Sequence, residues 1–95
     1  TLLVSFDDID WIDAAGDYMC IHANGHTHIM RSTMKELEQR LPQHFVRIHR
    51  STIVNLHRVQ SVKAMTKGES ILQLEGETCL KVSRNYRKAV QPLRK

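Results

Sequence analysis

The sequence predicts a mostly β protein, built from antiparallel sheets with two short helices. Three observations carry this. Short runs rich in Val, Ile and Thr recur along the chain, punctuated by Gly, Asn, Asp and Pro clusters. Asn24-Gly25, a pair in which both residues accept positive φ, sits between two such runs and signals a tight hairpin. Strand-like runs follow one another without helical crossovers, which favours antiparallel neighbours.

In chain order, Leu2 to Ser5 reads as a short strand. Ile9, Trp11 and Ile12 form the next apolar group, with Trp11 as a core anchor. Ala14-Ala15-Gly16-Asp17 reads as a loop. Tyr18 to Ala23 and His26 to Arg31 are the arms of the Asn24-Gly25 hairpin. The period then turns helical. Thr33-Met34-Lys35-Glu36 is a capping box, in which the Thr33 hydroxyl accepts from the Glu36 N–H. Met34, Leu37 and Leu41 share one helical face, and Pro42 ends the helix. Strands resume at Phe45–Ile48, Thr52–Val54 and Val59–Met65. Turns at Lys67–Ser70 and Glu75–Glu77 separate the strands Ile71–Leu74 and Thr78–Val82. In the last, Leu80 and Val82 share a face opposite Cys79 and Lys81. Ser83 offers an N-cap for a terminal helix, Arg84 to Val90, closed by Pro92. The sum is seven or eight strands with two short helices.

Ninety-five residues make one domain. With 41% hydrophobic and 25% charged residues the composition is that of an ordinary globular protein, and 5% aromatic content leaves the core to Leu, Ile, Val and Met. The formal net charge is +4 and the pI about 9.4, a moderate bias toward polyanions. The charge is unevenly placed. Residues 1–30 carry Asp7, Asp8, Asp10, Asp13 and Asp17 with no Lys or Arg, whereas residues 81–95 carry Lys81, Arg84, Arg87, Lys88, Arg94 and Lys95 with no acid. Two cysteines, Cys20 and Cys79, are too few for a disulfide framework and sit in apolar patterns, so buried thiols are expected; a redox pair would require their strands to be neighbours. No apolar run approaches the roughly 20 residues of a membrane span, and no signal peptide is visible. The opening Leu2-Leu3-Val4 reads as a cut, with a preceding domain removed.

Catalysis finds little support. No nucleophile elbow, HExxH or phosphate-cradling glycine loop is present, so an enzyme and a cofactor are not expected. His22, His26 and His28 invite a metal reading. A two-residue turn at Asn24-Gly25 pairs His22 with Thr27, and so points it away from His26 and His28. A metal is not expected either. A helix-turn-helix fails because about forty residues of strand pattern separate the two helices.

Two basic junctions remain. In Phe45 to Asn55, apolar β-branched runs bracket His49-Arg50-Ser51, and Val82 leads into Ser83-Arg84-Asn85-Tyr86-Arg87-Lys88. A guanidinium held by stiff strands can read a base edge or grip a phosphate. Arg50 and Arg84 are the candidate base readers. Ser51, Ser83 and Asn85 are candidates for short phosphate bonds, and Arg87 and Lys88 for ionic ones. The bland alternative makes Arg47, Arg50, Arg84 and Arg87 charges on a solvated face. A second function class is a protein-interaction module whose basic face meets an acidic partner.

These residues are similar to a known family. Ile12-Asp13-Ala14-Ala15-Gly16-Asp17-Tyr18, Met34-Lys35-Glu36-Leu37-Glu38, Phe45 to Ser51 through Asn55, and Val82-Ser83-Arg84-Asn85-Tyr86-Arg87 follow in the order and spacing of LytTR-type DNA-binding domains, the output modules of many bacterial response regulators. The resemblance covers nearly the whole chain. It implies an elongated fold of small antiparallel sheets whose loops enter successive major grooves of double-stranded DNA. The base-contacting positions it implies are Gly16-Asp17-Tyr18, His49-Arg50-Ser51 and Ser83-Arg84-Asn85. It further implies paired repeat elements bound by two protomers, a preceding receiver or other signalling domain, and a cytoplasmic transcription regulator. The chain departs from the pattern at Thr52, where the family usually has Tyr, and at Lys81, where Pro is common.

Overall fold

The chain reverses at nearly every turn signal, and its strands pair accordingly. The computed structural model describes residues 4–93. Eight strands run Ile9–Ala15 (β1), Tyr18–Ala23 (β2), His26–Arg31 (β3), Phe45–His49 (β4), Thr52–Asn55 (β5), Val59–Ala64 (β6), Ser70–Leu74 (β7) and Cys79–Val82 (β8), with one α-helix, Met34–Arg40 (α1), between β3 and β4. Strands β1 to β5 form one sheet in the order β3-β2-β1-β5-β4, and β6-β7-β8 form a second. Every pairing is antiparallel. The molecule is elongated, with extents of 40 × 24 × 22 Å. Among the described residues no helix is long and apolar enough to cross a membrane.

Alternation along the first sheet gives it two apolar faces. Ile9, Ile12, Met19, Ile21, Ala23 and Ile53 point to one side, where Met34 and Leu37 of α1 cover them. Val54 and Ile48 point to the other, where Leu72, Leu74, Leu80 and Val82 of the second sheet and Val90 of the terminal segment meet them. Burying an aliphatic side chain this size contributes about 1.5–3 kcal/mol. This second core welds the two sheets together at β4 and β5. Asn55, 1% exposed, ties the ladder's far end. Its amide donates to the Ile9 carbonyl at 2.9 Å and its side-chain oxygen accepts from the His57 N–H at 2.9 Å.

The hairpin register is the one the turn dictates: Ala23 pairs with His26, His22 with Thr27 and Ile21 with His28, with Asn24 at φ 51 and Gly25 at φ 78. The Thr33 hydroxyl accepts from the Glu36 N–H at 3.1 Å and caps α1. Leu80 and Val82 are buried, while Cys79 and Lys81 are exposed on the opposite face.

Several expectations need correction. Leu2 and Leu3 of the anticipated first strand lie outside the described residues. Val4 and Ser5 are not strand, and Ser5 instead opens a 3₁₀ turn, Phe6–Asp8, its side chain accepting from the Asp7 N–H. Local side-chain capping of this kind competes with strand pairing. Ala14 and Ala15 belong to β1, so the loop is only Gly16-Asp17. The terminal helix is a 3₁₀ segment, Arg84–Leu93, and Pro92 lies inside it. Such a segment is a chain of i→i+3 turns, and a residue without an N–H can open one turn without breaking the others. Cys79 is exposed and Cys20 only partly buried. They stand in different sheets, and the Cys79 thiol donates to Gln73 Oε1 at 2.9 Å. Trp11 is half-buried at the margin of the second core, stacked on His22 with ring centroids 3.9 Å apart.

Candidate nucleic-acid interface

Three of the sequence segments singled out above arrive at one end of the molecule. β1 runs into the Gly16-Asp17 turn, and its partner β5 starts at Thr52, opposite Asp13. The Ala14 N–H donates to the Ser51 carbonyl at 2.9 Å, which seats the β4–β5 junction beside the end of β1. On its other side, the Ser83 N–H donates to the Ile48 carbonyl at 2.9 Å. Ile48 is the extra residue where the β4–β5 register shifts between Arg47 and His49. A bulge there turns the strand end and leaves that carbonyl on the outer edge for the β8 junction. Two backbone hydrogen bonds therefore string Gly16-Asp17, His49-Arg50-Ser51 and Ser83-Arg84-Asn85 into one row.

Along this row Asp17, Tyr18, Arg50, Arg84, Asn85, Arg87 and Lys88 are exposed, and His49, Ser51 and Ser83 partly buried. Neither Arg50 nor Arg84 forms an ion pair among the described residues. Their donors face solvent. The neighbours are more engaged. His49 Nδ1 lies 3.0 Å from Ser51 Oγ and accepts from the Ser51 N–H at 3.2 Å, so this histidine shapes the junction it stands in. Arg87 donates to the Arg84 carbonyl at 3.1 Å, bracing the turn while remaining exposed. Asp17 lies 4.0 Å from Arg31 in an open surface pair.

A fourth segment joins the row, one that sequence reading treated only as a turn. Between β6 and β7, Thr66–Gly68 makes a 3₁₀ turn with Lys67 at φ 60 and Gly68 at φ 77. A Cβ on Gly68 would stand 3.0 Å from Arg84 Cγ and 3.6 Å from Arg87 Cδ. The stem of Arg84 therefore lies against bare backbone, and Lys67, Glu69, Ser83, Arg84 and Asn85 line an open cleft. Glu69 pairs with Lys81 at 3.1 Å, which offsets the charge that Lys81 brings to the Arg84 junction. The only signal for this segment in the sequence was Lys67-Gly68 itself. Arg31 was readable from the hairpin register, which sets it opposite Tyr18.

The acidic residues sort by position along β1. Asp7, Asp8 and Asp10 lie at its start, where Asp10 pairs with Arg58 at 3.6 Å. At about 3.3 Å per residue, a strand of this length separates them from the Gly16-Asp17 turn by roughly 20 Å. Asp13 is held by His22 Nε2 at 2.7 Å on the face of the sheet. Of these five aspartates only Asp17 stands in the row, where Glu69 is a second acid, paired with Lys81. Exposed guanidinium groups on short loops, backed by small hydrogen-bonding side chains, suit contact with base edges and phosphates.

Comparison with known proteins shows the family and the fold. The model of the family described as the LytTr DNA-binding domain matches residues 1–94. A sensory transduction protein LytT from Bacillus anthracis is 27% identical over 93 residues, which is 97% of this chain but 38% of that protein. The chain thus spans well under half the length of this curated relative. Among solved structures, a LytTr DNA-binding domain from Bacillus cereus, described as part of a methyl-accepting/DNA response regulator, superposes with a TM-score of 0.86 at 25% identity, covering 95% of this chain and 84% of that one.

Proposed function

The chain belongs to the LytTr DNA-binding domain family, and on that footing we propose that it binds double-stranded DNA sequence-specifically, with Arg50 and Arg84 as the principal base readers. The observation that carries the reading is the row of loops at one end, in which both arginines are exposed and without an ion-pair partner among the described residues, while the adjacent Ser51 and Ser83 backbones are hydrogen-bonded to neighbouring strands. Free donors on fixed backbone lose little freedom on binding. In this reading the loops enter successive major grooves. Gly16-Asp17-Tyr18 supplies a third contact, Asp17 accepting from a cytosine amino group or orienting a neighbour. Ser51, Ser83, Asn85, Arg87 and Lys88 hold phosphates, and His49 orients Ser51 beside them. The proposed setting is a cytoplasmic bacterial transcription regulator, controlled through a preceding receiver or other signalling domain and binding paired repeat elements as two protomers.

Titration against a selected duplex at several salt concentrations tests the assignment. Arg50→Ala and Arg84→Ala should each weaken binding by about 1–3 kcal/mol and relax the sequence preference at one position. Arg87→Ala and Lys88→Ala should weaken all sequences alike and flatten the log–log salt slope by about one unit. Parent-like binding by both of the first two variants rejects them as readers, and an unchanged slope removes the second two from the interface.

A further inference from the structure

Arg47 is a charged residue of the region whose fork points inward. It lies on the edge strand β4, three residues before Arg50, and its side chain is 29% exposed. Nη1 donates to Glu38 Oε1 of α1 at 2.9 Å. Nη2 donates to the backbone carbonyl of Arg50. The guanidinium carbon stands 5.9 Å from the centroid of the Tyr86 ring, two residues beyond Arg84. The Tyr86 N–H in turn donates to the Ser83 carbonyl at 2.9 Å, so the ring and the Arg84 backbone belong to one turn. A single planar cation therefore links α1, the Arg50 junction and the Arg84 turn. Only Arg has the chemistry for all three contacts, since a lysine lacks both the rigid fork and the flat face. Nε is sealed from solvent with no hydrogen-bond partner among the described residues, a cost that an apolar side chain at this place would not carry.

We propose that Arg47 is a positioning residue for DNA recognition: it fixes the Arg50 junction and the Arg84 turn relative to each other, so that the two reach the duplex as one preformed unit. The proposal rests on the reading of Arg50 and Arg84 as base readers. Without the brace the two loops keep their backbone links to the sheets but lose the side-chain clamp across them. Ordering them is then deferred to the moment of binding, where it subtracts from affinity for the correct site. Non-specific attraction to phosphates, which depends on charge and not on register, is left as it was.

Two variants of the purified chain separate this from simpler roles, each titrated against a selected duplex and a scrambled one across salt, with a thermal melt alongside. Arg47→Lys keeps the charge and should bind the selected duplex roughly tenfold more weakly, with scrambled-duplex affinity and salt slope unchanged. Glu38→Ala lies on an exposed helix position and removes the acceptor for Arg47 Nη1, with the melt checking that the fold is kept. It raises the net charge by one, so charge alone predicts tighter binding to both duplexes, whereas loss of the brace predicts a fall in the selected-to-scrambled ratio. Equal weakening of both duplexes by Arg47→Lys would make Arg47 a direct phosphate contact and overturn the proposal. So would a Glu38→Ala protein whose ratio is unchanged or higher, whatever the melt of Arg47→Lys. If Arg50→Ala and Arg84→Ala are silent on the selected duplex, it is the identity of the readers that fails, a result independent of these two variants.

Discussion

Gly68 shows how a residue without a side chain can aim one that has a long one. Its φ of 77° suits glycine, and the Arg84 stem lies where a Cβ would intrude at 3.0 Å. Gly68→Ala should therefore lose about 1–2 kcal/mol to left-handed strain and should also displace Arg84. A thermal melt and a titration on the selected duplex should both register the change; a variant that melts and binds like the parent would show that the contact is incidental. Residue-level legibility was uneven for a physical reason. Arg50 and Arg84 were readable because loop exposure follows from the strands that flank them. The inward use of Arg47 was hidden because its partners Glu38 and Tyr86 are brought close only by the fold. The pairing of Lys81 with Glu69 was hidden in the same way. Cys79 shows a missed signal: the alternation that buries Leu80 and Val82 already placed it on the solvent face with Lys81.

Among the elements, those with local chemistry were the most legible. Asn24-Gly25 set the register of β2 on β3 residue by residue, and the Thr33 cap set the start of α1. The terminal segment was less so, because Ser83, Arg84 and Pro92 do not by themselves distinguish an α-helix from a run of 3₁₀ turns. Its apolar side chains Tyr86, Val90 and Leu93 pack against the second core, but their i, i+4, i+7 spacing is the α-helical one, so the pattern did not foretell the 3₁₀ form. Removing the cap of α1 has a consequence beyond stability, since α1 carries Glu38. Thr33→Ala should cost about 1 kcal/mol, read as a lower urea midpoint at unchanged m. A midpoint equal to the parent's would mean that tertiary packing alone holds the helix start. Strand β4 carries the bulge that exposes the Ile48 carbonyl to Ser83. No sequence pattern announced it, because a bulge is a mismatch between two strands and only the pair reveals it.

At the scale of the whole molecule, two small cores on opposite faces of one sheet produce an elongated body with different ends. The loops with exposed arginines gather at one end of β1, and Asp7, Asp8 and Asp10 stand at the other. The count of strands and their antiparallel pairing were legible from turn signals, whereas the division into a five-stranded and a three-stranded sheet was not. That division depends on β5 pairing back with β1 across more than thirty residues of intervening chain. It is also what helps bring the proposed reading loops into one row, so the fold and the proposed interface share a single origin. The most direct test of that interface is selection from a pool of random duplex DNA, followed by the same selection with Arg50→Ala and with Arg84→Ala. The parent chain should enrich a motif of paired short repeats, and each variant should lose preference at a different position within it. A pool that emerges unenriched, or a motif indifferent to both substitutions, would contradict the account.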